Sequence, residues 1–249
     1  MKLFYKQYGE TGEPLFILHG LFGMLDNWHR VAGALSEEYV VYTVDQRNHG
    51  HSPHSNEMNY EIMAMDLKNL MDDLRVKKAT ILGHSMGGKT VMQFCEMFPE
   101  MVEKLIVVDI APKAYKPGHT LYFEALKSLD FASFEKRRDA EQALEAYEPN
   151  AGIRLFLLKN MTRKKRGGFE LKMNLKAIEN AYKEIIGSAN IKNGFEGEVL
   201  FIKGENSRYL EDEDLEVILN LYPNAKITSV PNAGHWVHAE NYQGFLEAL

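Results

Sequence analysis

The sequence predicts an α/β fold with a mainly parallel, doubly wound sheet and a helical segment inserted after the sixth strand. Short apolar runs alternate with segments of helical periodicity over residues 1–112, and the alternation resumes over residues 192–249. Residues 113–191 show no clear strand pattern and are too long and too helical to be a loop. We therefore expect a core built from residues 1–112 and 192–249, with residues 113–191 standing over one end of its sheet.

The first part of the core predicts parallel strands joined by crossover helices. Residues 1–8 read as an edge strand. Continuous apolar runs, which are typical of strands buried on both faces, lie at 15–18, 40–44, 79–82 and 105–108. Helices are predicted from Asp26 or Asn27 onward and over 60–74 and 86–98.

The remaining elements follow the same periodicity rules. Within the insertion, helices are predicted over 122–129, 134–148, 151–160 and 174–186. The core then resumes with strands at 198–202 and 225–230, a helix between them at 212–221, and a closing helix from Asn241.

Composition argues against several classes of protein. With a net charge of −6 over 249 residues, the chain lacks the basic excess of nucleic-acid-binding domains, so we expect no nucleic-acid partner. No run reaches the roughly 18 apolar residues of a membrane span. Residues 1–6 alternate like a strand and lack the apolar stretch of a signal peptide, so we expect a cytoplasmic location. The only cysteine, Cys95, excludes an intrachain disulfide, disfavours a cysteine-based metal site and is expected to be buried.

Polar residues follow the predicted strand ends repeatedly. Ligands of open α/β sheets bind at the carboxyl ends of the strands, where this chain places His19, Asp45, Ser85, Asp109, Glu205 and His235. Ser85 is central to a Gly-x-Ser-x-Gly pentapeptide between a strand and a helix. Gly83 and Gly87 are small enough for a sharp corner that exposes the serine.

A serine hydroxyl becomes a useful nucleophile when a neutral histidine accepts its proton, and a carboxylate must hold that histidine in the correct tautomer. We choose His235, in a late loop, as the base. His238 is one helical turn away and is expected to pack or cap. His84 adjoins Ser85, so we expect its side chain to point away from the partners of the nucleophile.

Five motifs, in this order, resemble the α/β-hydrolase superfamily and most closely its small YbfF-like esterases. They are HGLFG at 19–23, DQRNHG at 45–50, GHSMGGK at 83–89, VDIAP at 108–112 and NAGHW at 232–236. The resemblance covers the core on both sides of the insertion and implies that residues 113–191 form a helical cap. It also implies a hydrolase that requires no metal and no cofactor.

The acid of the triad is less obvious than the nucleophile and base. Many relatives carry an aspartate three residues after the glycine that ends the penultimate strand, where this chain has Ser207. The resemblance implies that Asp109 takes this role from the neighbouring strand end. Glu205 is the alternative acid, and Asp109 as a simple loop cap is the structural alternative. Ser207 is suggested to hydrogen-bond near the acid.

The resemblance also assigns the oxyanion hole. Its donors are implied to be the backbone amides of Leu21 and Met86, whereas His19 is expected to shape the loop and not to react. Aromatic residues of the insertion are numerous enough to line an acyl pocket: Tyr115, Tyr122, Phe123, Phe131, Phe134, Phe156 and Tyr182.

We therefore predict a serine hydrolase that cleaves a small-molecule carboxylic ester or acyl thioester. One alternative is a carbon–carbon bond hydrolase or lyase that uses the same triad. A second alternative, which is not an enzyme class, is a ligand-binding receptor with little turnover. The basic residues 163–166 are predicted to form a solvated loop. The alternative is that they attract an anionic tail of the substrate. The sequence does not determine the oligomeric state.

Overall fold

The α/β alternation predicted from the sequence is present in the computed structural model, which describes residues 1–249. The strands are β1 (Phe4–Tyr8), β2 (Glu13–Leu18), β3 (Tyr39–Asp45), β4 (Ala79–His84), β5 (Val102–Val108), β6 (Met161–Arg163), β7 (Phe169–Leu171), β8 (Glu198–Gly204) and β9 (Ala225–Val230). The helices are α1 (His29–Leu35), α2 (Tyr60–Asp73), α3 (Met86–Met97), α4 (Thr120–Ser128), α5 (Arg137–Leu144), α6 (Ala151–Leu158), α7 (Leu175–Asn180), α8 (Tyr182–Ile186), α9 (Leu215–Leu221), α10 (Val237–Glu240) and α11 (Tyr242–Glu247). Short 3₁₀ helices cover Leu25–Trp28, Pro99–Met101 and Asp212–Asp214.

Seven strands form one sheet in the order β1-β3-β2-β4-β5-β8-β9. β1 pairs antiparallel with β3, and every other pairing is parallel. β4 lies at the centre, between β2 and β5, so the corner that follows it is flanked by the loops after both neighbours. Parallel strands end at the same edge of a sheet, which is why residues distant in sequence meet there.

Side chains of the central strands alternate between two apolar clusters, one on each face of the sheet. Phe16 and Leu18 of β2 belong to a cluster that includes helices α2 and α3. Leu15 and Ile17 of the same strand point to the opposite cluster, which includes α1 and α11. Successive side chains of a strand point to opposite faces of the sheet, and here both faces are buried. Apolar side chains are therefore favoured at successive positions of these strands, which accounts for the continuous apolar runs in the sequence.

The insertion has its own apolar core, and that core extends into the loops of the sheet edge. A cluster of 20 buried residues joins helices α4 to α8 to Leu21, Phe22 and Met86. The same elements that flank Ser85 are thus packed against the inserted helices. Apolar burial of this kind is the main term that holds such a segment in place.

Two expectations about the insertion are wrong in detail. It follows the fifth strand in chain order and not the sixth, since only β1 to β5 precede residue 113. It is also not purely helical, because β6 and β7 form a small antiparallel hairpin. Strands of three residues are too short to produce a periodic signal.

Helix boundaries in the insertion also shift. The helix predicted over 134–148 is limited to α5, and the one predicted over 174–186 is divided into α7 and α8. Cys95 is buried on α3, as expected. None of the helices combines the length and the apolar character needed to cross a bilayer. His, Cys, Asp and Glu side chains form no group of three that is arranged to hold a metal ion.

Close packing at the corner after β4 predicts opposite effects for two glycine substitutions. A Cβ at Gly83 would lie 2.1 Å from the Gly87 carbonyl oxygen, whereas a Cβ at Gly33 in α1 would meet nothing within 4 Å. We expect Gly83→Ala to lower the free energy of unfolding by about 1–3 kcal/mol. Gly33→Ala, the matched control, is expected to raise it by about 0.5–1 kcal/mol. Thermal and urea unfolding measure both values, and equal stability of Gly83→Ala and wild type would contradict this packing.

Candidate active site

Ser85 occupies a strained corner between β4 and α3. Its backbone has φ +54° and ψ −118°, a conformation that residues other than glycine rarely adopt. Holding a residue there costs on the order of 1–3 kcal/mol, which the surrounding structure must supply. The close approach of Gly83 to Gly87 supports the corner, and the Ser85 amide donates to the Val108 carbonyl at 3.0 Å. The hydroxyl is thereby held at the sheet edge.

The structure brings Ser85, His235 and Asp109 into one hydrogen-bonded chain. The Ser85 Oγ lies 3.0 Å from His235 Nε2, and His235 Nδ1 lies 2.7 Å from Asp109 Oδ2. A carboxylate oxygen accepts, so Nδ1 carries the imidazole proton and Nε2 is left free to accept from the serine hydroxyl. This tautomer suits a base that removes the serine proton.

Asp109 is fully buried and has more than one partner. Its Oδ1 accepts from the Gly204 amide at 3.0 Å, and its Oδ2 accepts from the Ser207 hydroxyl as well as from His235. The Asp109 backbone, with φ +50°, is itself held by an amide hydrogen bond to Ile202 at 2.8 Å. Buried charge requires such donors, and these donors orient the carboxylate toward the histidine.

The alternative acid, Glu205, is not brought to His235. Its Oε2 accepts instead from the Asn232 amide at 2.8 Å, at the start of the loop that carries the base. Ser207, three residues after Gly204, donates to the carboxylate of Asp109. The hydrogen bond suggested for Ser207 from the sequence is therefore present in the structure.

His84 departs from our expectation. Its ring centroid lies 4.7 Å from that of His235, and its Nε2 donates to the His235 carbonyl at 2.8 Å. Burial lowers the pKa of His84 well below its usual value, so the ring is neutral and carries this single proton. The loop after β9 folds back onto the end of β4, so that His235 contacts both His84 and Ser85. Sequence adjacency alone does not reveal this contact.

Two further residues near the base were not identified from the sequence. The Tyr209 ring stacks on the His235 ring, with centroids 3.7 Å apart and planes at 18°. His119 lines the same space, and burial lowers its pKa to about 4. Both residues lie in irregular segments with no motif or periodicity that marks them. His238 packs, as expected, against Trp28 with ring centroids 4.0 Å apart.

His19 supports the loop that follows β2. Its Nδ1 donates to the Gly20 carbonyl at 2.8 Å, and its Nε2 accepts from the Gln46 amide at 3.1 Å. Burial lowers the pKa of His19 to about 4, which keeps the ring neutral in this arrangement. Both ring nitrogens are used for structure, in agreement with the expectation that His19 shapes the loop.

Two cavities meet at Ser85. The first cavity has a volume of about 840 Å³, includes His235 and extends between α6 and the loop after β9. The second cavity has a volume of about 410 Å³ and includes Met86 and Lys89 but not His235. Both include Leu21, Ser85, His119 and Tyr209.

Leu21 and Met86 adjoin the nucleophile, as the oxyanion assignment requires. Both line the second cavity together with Ser85. Met86 is the first residue of α3, where a backbone N–H has no partner within the helix and the helix dipole favours negative charge. The position is therefore suited to stabilise an anion that forms beside Ser85.

Only part of the aromatic surface of the insertion reaches the cavities. Tyr122 and Phe156 line the first cavity, and Tyr115 lines the second. The other aromatic residues considered from the sequence pack in the apolar core of the insertion: Phe123, Phe131, Phe134 and Tyr182. An aromatic side chain contributes equally well to a core or a pocket, so spacing does not separate the two groups.

The basic residues 163–166 lie at the exposed turn of the β6–β7 hairpin and line neither cavity. Arg163 donates to the Glu135 carbonyl at 3.2 Å, and its guanidinium lies 4.9 Å from the centroid of the Phe169 ring. The structure therefore does not bring this run to Ser85.

Comparison with known proteins agrees with the fold. The family described as alpha/beta hydrolase fold matches residues 13–242. An sn-1-specific diacylglycerol lipase, ABHD11 of Danio rerio, is 37% identical over 95% of this chain and 77% of its own length. Esterase YbfF of Escherichia coli strain K12 is 34% identical over 98% of this chain and 94% of its own length.

Among solved structures, a marine microorganism esterase superposes with a TM-score of 0.96 at 42% identity, covering 100% of this chain and 99% of that one. The resemblance inferred from the five motifs is confirmed by these similarities, which extend along nearly the whole chain. The chain belongs to the α/β hydrolase fold family.

Proposed function

We propose that this protein is a serine hydrolase that cleaves carboxylic esters of small molecules through an acyl-enzyme on Ser85. The observation that carries the proposal is the continuous hydrogen-bonded chain from Ser85 through His235 to Asp109. The ester as substrate class is supported by relatives and a structural neighbour that are named esterases or lipases.

In the first half of the reaction, His235 Nε2 accepts the Ser85 proton as Oγ attacks the ester carbonyl. The carboxylate of Asp109 stabilises the imidazolium that forms, and the backbone amides of Leu21 and Met86 donate to the developing oxyanion. Collapse of the tetrahedral intermediate breaks the bond to the leaving group. The imidazolium returns its proton to the departing alkoxide, leaving the acyl group on Ser85.

In the second half, water enters the place of the alcohol and His235 Nε2 removes one of its protons. The resulting hydroxide equivalent attacks the acyl-enzyme, the same two amides hold the oxyanion, and Ser85 recovers its proton from His235. An acyl thioester follows the same steps with a thiol as the leaving group. The groups required for these steps are all side chains or amides of this chain.

The two cavities can be assigned to the two parts of the substrate. The leaving group must take a proton from His235 Nε2, so it lies on the side of the first cavity, which includes His235. The acyl group then extends into the second cavity, which includes the oxyanion residue Met86 but not the base. Carbon–carbon cleavage or an elimination would use the same triad and differ in what these cavities accept.

Replacement of the nucleophile tests the proposal directly. Ser85→Ala is expected to abolish hydrolysis of a short chromogenic ester and to prevent labelling by a fluorophosphonate probe, because both need the activated hydroxyl. Circular dichroism and thermal unfolding verify that the variant stays folded. Turnover that persists in Ser85→Ala would refute the assignment of the nucleophile. A wild-type protein that neither hydrolyses nor is labelled would favour the receptor alternative.

The acid assignment predicts an order of effects. Asp109→Asn is expected to reduce kcat by about 10⁴-fold, because an amide cannot hold the required histidine tautomer in the same way. Ser207→Ala removes one hydrogen bond to the same carboxylate and is expected to cost about tenfold. Glu205→Gln, outside this network, serves as the control. Steady-state kinetics on one ester measure all three, and a larger loss in Ser207→Ala than in Asp109→Asn would move the acid elsewhere.

A further inference from the structure

Lys89 is a buried cation that the proposed reaction does not use. It lies on α3 one helical turn after Ser85, and its side chain is almost completely enclosed, with 1% of the residue exposed. Its ammonium donates to the carbonyls of Ile186 and Gly187, at 3.4 and 2.5 Å. It takes part in none of the salt bridges of the chain.

The surroundings of Lys89 supply dipoles and ring faces but no negative charge. Its Nζ lies 4.7 Å from the Tyr115 ring centroid and 5.8 Å from that of Tyr60. The second cavity, which Lys89 lines, also includes Lys116 and Arg208 and no aspartate or glutamate. Burial lowers the pKa of the Lys89 ammonium to about 7.

A charge in such a place is unfavourable unless a partner of opposite sign joins it. If Lys89 served only to hold the Ile186 and Gly187 carbonyls, it would need N–H donors but no charge. An uncharged side chain provides such donors as well. When the amine is protonated, its positive charge is compensated only by an anion that enters the cavity. Because this cavity includes Ser85 and Met86 but not His235, that anion would belong to the acyl part of a substrate.

We propose that the second cavity is a subsite for acyl groups that end in a carboxylate, with Lys89 as the counter-ion that selects them. This inference rests on the proposed function, and it names the preferred substrates as monoesters of short dicarboxylic acids. Ser85 and Lys89 line the same cavity and lie one helical turn apart, so one short acyl group contacts both. Lys116 and Arg208 are exposed and lie toward solvent, where they strengthen the positive potential that guides the anion inward.

Matched ester pairs test the inference. The monoethyl esters of succinic, glutaric and adipic acids are compared with the ethyl esters of butyric, pentanoic and hexanoic acids, by measuring the ethanol released. We expect the wild type to show a kcat/KM at least about tenfold higher for the best half-ester than for the neutral ester of equal chain length, as a charge-assisted contact implies. Equal kcat/KM values in all three pairs would overturn the proposal.

Substitution of the lysine separates selection from structural support. Lys89→Met is expected to raise KM about tenfold or more for the half-ester and to leave the neutral ester within about threefold. Loss of the charge affects only the half-ester, whereas loss of the hydrogen bonds to the Ile186 and Gly187 carbonyls affects both substrates alike. Lys127→Met, which removes an equal charge from an exposed pair with Glu179, is the control and should change neither substrate. Equal losses on both substrates in Lys89→Met would indicate a structural role and refute the inference, as would an equal effect of Lys127→Met.

A binding measurement keeps the inference testable even if a variant fails to fold or no ester is turned over. Calorimetric titration of the wild-type protein compares glutaric acid monoamide, which carries one carboxylate, with pentanamide, which carries none. We expect the monoamide to bind at least about tenfold more tightly. Equal affinities would refute the anionic subsite alone, whereas the absence of turnover with every ester, together with tighter binding of the monoamide, would refute the proposed esterase activity alone.

Discussion

The buried carboxylate of Asp109 is the constraint on which the arrangement of the sheet edge depends. It accepts hydrogen bonds from the Gly204 amide, the Ser207 hydroxyl and the His235 ring, and these donors come from the end of β8, the loop after it and the loop after β9. A charge without access to water must keep such donors in place, because each lost partner leaves part of its desolvation cost uncompensated. The loops at three strand ends are therefore positioned relative to one another by a single side chain, and the ring of His235 is oriented toward Ser85 as a result.

Strained backbone is concentrated at the same edge of the sheet. Phe22, Ser85 and Asp109 all have positive φ, and they follow β2, β4 and β5. Each such conformation costs on the order of 1–3 kcal/mol and persists only where the surroundings over-determine it. Here the supports are the contact of Gly83 with Gly87, the amide hydrogen bonds of Ser85 and Asp109, and the apolar core of the insertion, which includes Phe22. The folding energy of the sheet and of the insertion is partly used to hold reactive groups in unfavourable backbone geometry.

The insertion is joined to the core at its end as well as through its apolar face. The carbonyls of residues 185–187, at the end of α8, accept from the Tyr60 hydroxyl, the Tyr115 amide and the Lys89 ammonium. Helix ends leave carbonyls without intrahelical partners. Here two donors of the core, Tyr60 and Lys89, and one donor from the start of the insertion, Tyr115, satisfy them. Since Lys89 lies on the helix that begins after Ser85, the wall of the second cavity and the nucleophile share one rigid element. In the proposed reaction, this arrangement links what the cavity accepts to the position at which the acyl group is attacked.

The sequence by itself determined the alternation of strands and helices, the place of the insertion between the two parts of the core, and Ser85 and His235 as a candidate nucleophile and base. Asp109 as the acid was implied by the family resemblance, with Glu205 as the alternative. These features depend on apolar periodicity and on short motifs, which local residues specify. Only the tertiary structure decided that Glu205 turns toward Asn232, that His84 donates to the His235 carbonyl, that Tyr209 stacks on the base, and that the basic turn at 163–166 is remote from both cavities. Such contacts join loops that are far apart in the chain, and their geometry follows from the order of strands in the sheet, which periodicity does not encode.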